Sequence, residues 1–416
     1  MTVAAINLWG RRVGFISDQQ GLPAFEYDPD WLARGRSISP LHLPLEAGVF
    51  SFPELRREEA FEGMPGVFAD SLPDRFGNRV IRAWLARQAP AVTEISPTEK
   101  LLYVGKRGMG ALEYEPAREL QPGTEGPGLE LAALVAQARA VIQGELEVRI
   151  PDIIAAASSA GGMRAKALVG WDRTANEVIA NQAGMPARFE PWIIKLDGTD
   201  ETGQSQHWCR LEYAYYRMAR EAGLDISEAV LIEHGGLAHF ATQRFDRASG
   251  AKIHMHSLCG LRHADYNQPG VWSYEIYLQT CLKLGLGMDE LSEAFRRMVF
   301  NIVARNQDDH TKNLAFLLDE ESPDWRLAPA FDITYAHGAG FTRRHQMSVN
   351  GKFEDLALAD VAEVAETFGI RKWRDILEQV EIAVEAWPAH ARHAGLELEF
   401  AERVGRDHRR LAVGAI

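Results

Sequence analysis

The 416-residue chain predicts an α+β fold with a strand-rich front and a mainly helical back. Three observations carry that prediction. Residues 1–115 read as short strands and turns, ending in the apolar-acidic alternation Leu112-Glu113-Tyr114-Glu115. Residues 129–247 alternate apolar strand runs with helical stretches, starting with a helix from Leu129 that Gly144 stops. Residues 248–416 are mainly helical, interrupted by one hairpin. These stretches are the three expected domains, and the Gly- and Pro-rich run at 121–128 is a linker by composition.

Composition narrows the function classes. Apolar content of 46% and charged content of 25% are ordinary globular values, so the chain can bury a sizeable core. No apolar run is long enough to span a bilayer, and Met1 to Ala5 lacks the basic start of a secretory signal. A cytoplasmic location is expected. Cys209, Cys259 and Cys281 are far apart and odd in number, which predicts neither a disulfide framework nor a zinc pattern. His254, His256 and His263 lack a further ligand type at chelating spacing, so no metal site is expected there. A net charge of −13 makes nonspecific DNA binding by this chain unfavourable. The arginines at 403, 406, 409 and 410 are interspersed with Glu402 and Asp407 and read as a solvated helix face.

Taken in order, the elements of the middle region suit a nucleotide. Ser158, Ser159, Ala160, Gly161, Gly162, Met163, Arg164, Ala165 and Lys166 precede an apolar strand at 167–171. Small residues let backbone N–H groups approach phosphate oxygens, and Lys166 adds charge, although no Walker motif is present. A turn at 172–176 leads to a partner strand at 177–180. The next strand, 191–196, carries Lys195 within apolar neighbours. A buried lysine needs a phosphate or carboxylate, whereas an edge-strand lysine would simply face water. The helix expected over about 205–222 offers Glu212, either as an ion-pair partner for Lys195 or as an ordinary surface residue. A hairpin around Gly235-Gly236 follows and ends in Gln243-Arg244-Phe245, where Phe245 either stacks on a base or fills a core.

The densest polar signal lies further on. Leu291, Phe295, Met298, Ile302 and Val303 recur at helical spacing and run into Asn306-Gln307-Asp308-Asp309-His310-Thr311-Lys312-Asn313. A buried strand at 314–318, a turn at 319–324 and a return strand at 325–328 would then deliver Phe331-Asp332 beside Asp308. An Asp with an Asn five positions later, then a second Asp after a hairpin, is the polar skeleton of a phosphotransferase site. Asn313 and Asp332 match the one or two protein ligands Mg²⁺ usually takes. A metal-dependent phosphohydrolase built on Asp308, Asp309, His310 and Asp332 is the rival reading.

With these pieces in order, the chain resembles the HipA family of bacterial serine/threonine kinase toxins. The matching stretches are Ser159 to Lys166, Ile193-Ile194-Lys195, the Asn306 to Asn313 pattern and Phe331-Asp332. Gly14-Phe15-Ile16, Phe25-Glu26-Tyr27, Trp31-Leu32 and the Val67 to Asp74 run resemble the family's N-terminal module. The resemblance implies a two-lobed, protein-kinase-like fold with an N-terminal subdomain at 1–115, a nucleotide lobe at 129–247 and a catalytic lobe at 248–416. It also implies roles. Asp308, rather than Asp309, is the base; Asn313 and Asp332 hold Mg²⁺; Lys195 contacts ATP phosphates. Gly161 to Lys166 form the phosphate loop, Gln243 to Phe245 the adenine hinge, and His310, Thr311 and Lys312 lie beside the nucleotide. Ser159, or its neighbour Ser158, is the autophosphorylated serine. Gln243 stands where an acidic residue is common, and Met163 and Ala165 occupy variable positions. The implied partners are a HipB-like helix-turn-helix antitoxin, which would bring DNA in indirectly, and a protein substrate such as an aminoacyl-tRNA synthetase or another translation component. A kinase-like co-repressor without catalysis is the remaining alternative.

Overall fold

A computed structural model describes residues 2–19, 21–33, 36–88, 94–117, 131–143, 165–175, 177–180, 185–199, 207–248 and 250–411. The N-terminal region forms a five-stranded antiparallel sheet from β1 (Val3–Leu8), β2 (Arg11–Gln19), β3 (Leu22–Tyr27), β4 (Val49–Ser51) and β5 (Leu112–Glu115), in the order β4-β3-β2-β1-β5. Alternation drives it: Ala4, Ile6 and Leu8 of β1 turn inward onto a core with Ile16, Phe25, Phe61, Phe68 and Tyr114.

The region is not only strands and turns. Helices at Arg75–Gln88 and Pro97–Val104 interrupt it. Their signals are local. Ser96 accepts a hydrogen bond from the Glu99 N–H and Pro97 occupies the first turn, which together start the second helix. Phe76, Val80, Ile81 and Leu85 share one face of the first. That face does not pack on β1–β5. It joins Leu134, Val135, Ala138 and Val141 of helix Leu131–Gln143 over the next sheet.

The second sheet contains β6 (Lys166–Asp172), β7 (Glu177–Ala180), β8 (Glu190–Lys195), β9 (Ala229–His234) and β10 (Leu237–Gln243), all antiparallel in the order β7-β6-β8-β10-β9. Gly235 and Gly236 make the β9–β10 turn with φ of 57° and 81°, backbone that a side chain would strain. Lys195 ends β8, with Lys166 opposite it on β6 and Phe240 opposite it on β10.

Helix Trp208–Glu221 joins this sheet to the helical region. Cys209 and Tyr216 pack against Ala229 and Phe240, while Leu211, Tyr215 and Met218 enter the large C-terminal core. That core is built from helices Tyr274–Lys283, Met288–Val303, Leu358–Thr367, Trp373–Glu385, Trp387–His393 and Leu398–Asp407. A three-stranded sheet of His254–Ser257, Ala315–Leu318 and Trp325–Leu327 lies beside them. The hairpin expected at 314–328 is its centre and edge. Among the described residues, no helix is long and apolar enough to cross a membrane.

Candidate active site

Lys195 stands at the junction of the two lobes, where its ammonium meets Glu212 Oε1 at 2.5 Å and Asp332 Oδ1. Each partner has a structural reason to be there. Glu212 is one turn into helix Trp208–Glu221 and is buried because the neighbouring face enters the core. Asp332 follows the return strand and sits in left-handed backbone with φ of 53°, a conformation that suits short polar side chains. Burial works against the charge on Lys195, but Asp332 and Glu212 outweigh it and hold the ammonium above its ordinary range. The same burial opposes the Asp332 carboxylate, which Lys195 and then Lys166 draw down to about 2. Lys195 is therefore an interior cation with two carboxylates, not an edge-strand lysine facing water.

The loop after helix Met288–Val303 separates its two aspartates. Asp309 is inside, with a side chain 1% exposed. It accepts from the Tyr274 hydroxyl at 2.8 Å, His345 Nδ1 at 2.7 Å and the Gln346 N–H at 2.8 Å. Burial and Asp309 push the Tyr274 hydroxyl well above its usual pKa, so it stays a donor. Asn301 donates to that hydroxyl and Asn306 donates to Asn301, which extends the chain of bonds back into the helix. Asp308 instead has a side chain 48% exposed. Gln346 Nε2 donates to its Oδ1 at 2.6 Å, and Asn313 Nδ2 donates to its backbone carbonyl at 3.0 Å. That bond orients the Asn313 amide and leaves its oxygen as the acceptor end. Asn313, Asp309, His310, Phe331 and Asp332 line one small cavity, with Arg297 and Asn306 beneath. His310 lies over Tyr266 at 5.0 Å, and its buried Nδ1 has no hydrogen-bond partner.

Other expected contacts are placed differently. The Thr311 hydroxyl is buried and donates to the Ala264 carbonyl at 2.7 Å. The Lys312 ammonium bonds Asp70 Oδ1 of the N-terminal region at 2.9 Å. Arg244 is fully buried, with its guanidinium on Asp246 and the Gly108 carbonyl. At the expected hinge, the Gln243 and Arg244 N–H groups donate to the Glu228 and Pro191 carbonyls, so the sheet uses both donors. Phe245 packs on Phe331 with ring centroids 5.6 Å apart. The physical reason is common to all: a segment that ends a sheet or caps a core spends its polar groups on its neighbours first. Ser158, Ser159, Gly161, Gly162, Met163 and Arg164 lie outside the described residues; Ala165 and Lys166 are buried at the start of β6.

His254 and His256 belong to a structural seam: His254 Nε2 meets the Ile38 carbonyl and His256 Nδ1 meets Asp70. All three cysteines are buried thiols outside any disulfide. Among the described residues, no group of three or more His, Cys, Asp or Glu gathers in metal-binding fashion. Sequence reading missed Gln346 and Asp70. Nothing around Gln346 marks it, since the loop that carries it is brought in by the fold. Asp70 lay within the Val67 to Asp74 run but without an assigned contact.

Two family profiles cover most of the chain: the HipA N-terminal domain matches residues 4–115, and the HipA-like C-terminal domain matches residues 158–387. The chain belongs to the HipA family. Two proteins of Sinorhizobium fredii are similar to it. "Putative kinase Y4mE" is 26% identical over 363 residues, spanning 80% of this chain and 77% of that protein. "Putative kinase Y4dM" is 25% identical over 243 residues, or 51% of this chain and 55% of that protein. A chain in the solved toxin–antitoxin complex of HipA, HipB and operator DNA from Shewanella oneidensis MR-1 superposes with a TM-score of 0.68 at 14% identity. The match covers 97% of this chain and 95% of that one. The fold is thus the HipA fold over nearly the full length.

Proposed function

We propose that this HipA-family chain is a Mg²⁺-ATP-dependent serine/threonine protein kinase and the toxin of a toxin–antitoxin pair. The observation that carries this reading is the Lys195–Glu212–Asp332 triad, with Asp332 sharing a cavity with Asn313 and with His310, whose Nε2 lies 3.9 Å from a half-exposed Asp308. The residues present fit a magnesium-bound nucleotide. The Asn313 amide oxygen and the Asp332 carboxylate are hard oxygen donors, and His310, whose buried Nδ1 has no hydrogen-bond partner, lines the same cavity. Bound Mg²⁺-ATP would supply the transferable phosphoryl group and neutralise its charge. Asp308 orients the acceptor hydroxyl and takes its proton; Gln346 and the 306–313 loop hold that carboxylate in place. Lys195 holds the phosphates, and Lys166 adds positive potential from the adjacent strand. Gly161 to Lys166 supply the phosphate-binding segment, and Ser159 or Ser158 is the self-modified residue. The base lies near Phe245 at the end of β10, read by atoms other than the two N–H groups the sheet occupies. The same reading divides the chain into an N-terminal subdomain to 115, a nucleotide lobe at 129–247 and a catalytic lobe from 248.

The antitoxin assignment is supported by the HipA, HipB and operator DNA complex whose fold this chain matches, and the substrate class is what the family resemblance implies. A HipB-like helix-turn-helix antitoxin suits an acidic chain that meets DNA only through a more basic protein. A translation component such as an aminoacyl-tRNA synthetase is the proposed substrate class, in the cytoplasm. A phosphohydrolase using both loop aspartates is disfavoured, because Asp309 is buried and its bonds are taken. Intact-protein mass spectrometry after incubation with Mg²⁺-ATP tests the reading. Wild type should gain one phosphate, mapped to Ser159 or Ser158, and Asp308→Gln should gain none. Equal gain in both would overturn the role of Asp308. Loss of ATP binding in Lys195→Ala would support the kinase over the phosphohydrolase.

A further inference from the structure

Two carboxylates four residues apart in the N-terminal region reach one lysine in each lobe. Asp70 accepts from the Lys312 ammonium at 2.9 Å, in the loop that carries Asp308 and Asn313. It also accepts from the Ser257 N–H and hydroxyl and meets His256 Nδ1, so four groups converge on one carboxylate. Burial opposes that charge, yet Lys312 and His256 outweigh it and hold Asp70 below the ordinary range. Asp74 faces Lys166 at 3.7 Å, with side chains 3% and 4% exposed. Burial outweighs Lys166 and holds the Asp74 carboxyl above its ordinary range, so this pair is weaker than Asp70–Lys312. Lys166 is paired across the ladder with Lys195, and like charges directly opposite on neighbouring strands repel, which Asp74 and Asp332 both offset. Asp74 Oδ1 also accepts from the Gly77 N–H, which ties the same carboxylate to the start of helix Arg75–Gln88.

The seat under this turn is rigid. A Cβ on Gly66 would lie 1.9 Å from the Gly260 carbonyl oxygen, so the helix Gly66–Ala69 rests backbone on backbone against Leu258–Arg262. The Leu258 N–H in turn donates to the Leu314 carbonyl at 2.7 Å, one residue past Asn313. Gly108 and Gly110 add a third contact, to Arg244 and Asp246 beyond β10.

We propose that the Asp70–Asp74 turn is a positioning brace for phosphate transfer. Asp70 sets the 308–313 loop through Lys312, and Asp74 sets the phosphate-side strand through Lys166. The kinetic half of this proposal rests on the kinase reading above; the structural half does not. The test uses the full chain with Asp70→Asn, Asp74→Asn, Lys312→Met and the double variant Asp70→Asn/Lys312→Met. The double variant removes both charges of one buried pair, which is better tolerated than stranding one. Amide hydrogen exchange is read peptide by peptide, alongside ATP affinity by calorimetry and steady-state phosphate transfer.

The expected result is a split. Asp70→Asn speeds exchange about tenfold or more in 308–314 and lowers kcat by about 10- to 100-fold with KM for ATP nearly unchanged. Asp74→Asn speeds exchange at 166–172 and weakens ATP binding roughly tenfold, leaving 308–314 protected. Adding Lys312→Met to Asp70→Asn costs less than the two single changes multiplied. Uniform acceleration of exchange across the chain, or unchanged protection in both segments, overturns the brace. A wild type that transfers no phosphate overturns the kinase reading while the exchange data still decide the brace.

Discussion

Asp70 and Asp74 in the N-terminal turn, and Asp308 and Asp309 in the loop after helix Met288–Val303, are two pairs of closely spaced carboxylates, and only Asp308 of the four is left half exposed. Both N-terminal carboxylates are buried against lysines. In the loop, Asp309 is locked by a tyrosine, a histidine and a backbone N–H, and Asp308 is left half exposed with one glutamine donor. The difference teaches where to look for chemistry. A carboxylate whose oxygens are taken by buried donors, as in Asp70 and Asp309, is holding the structure; a half-exposed one with spare acceptor capacity, as in Asp308, can accept a proton.

The sharpest way to break that comparison is to exchange the costs. Asp308→Asn should lower phosphate transfer by about 10³-fold with the melting temperature unchanged. Asp309→Ala should instead cost roughly 3 kcal/mol of stability in urea unfolding, because it strands the Tyr274 hydroxyl and His345. If Asp309→Ala were stable and inactive while Asp308→Asn unfolded, the roles would be reversed. Lys195→Met comes next. It removes the ammonium that Glu212 and Asp332 share, at roughly 3 kcal/mol and with lost nucleotide affinity. Calorimetry with ADP reads the second effect independently of turnover.

Acid sharpens the other side of the comparison. Burial holds His254 down to about 4 and His263 to about 3, both on the seam that seats the N-terminal turn. His263 Nε2 accepts from the Gly66 N–H and so must be unprotonated there. A depressed folded pKa means the unfolded chain binds the proton first, so stability is present above about 6.5 and falls as pH drops toward 4. His254 alone should remove roughly 2 kcal/mol between pH 7 and pH 5. Urea midpoints at the two pH values check this; equal midpoints would deny the buried neutral imidazole. The smallest expected effect is Gln346→Ala, which frees Asp308 to turn. It should lower kcat by about three- to tenfold and cost about 1 kcal/mol of unfolding free energy, since Gln346 is buried and loses one hydrogen bond.

The loop from Asn306 to Asn313, the strand with Lys195, the hairpin returning Asp332 and the Gly235-Gly236 turn were all legible as local patterns. Each combines a periodicity with a residue whose chemistry is costly unless used. The helix at Arg75–Gln88 was missed, although Phe76, Val80, Ile81 and Leu85 mark its face, because the surrounding region reads as strands. Glu212 as the partner of Lys195 was one of two open readings, and burial of its helix decided between them.

Residue type and spacing by themselves determined the candidate chemistry, because a lysine in an apolar strand and an Asp-Asn pair at fixed spacing have few cheap uses. Only the tertiary structure decided which groups are free to act. It sent Lys312 to Asp70, Arg244 to Asp246 and Thr311 to the Ala264 carbonyl, and brought Gln346 to Asp308 from a distant loop. Buried polar groups take whatever partner the fold brings within about 3 Å, and that partner is set by packing between segments far apart in the chain.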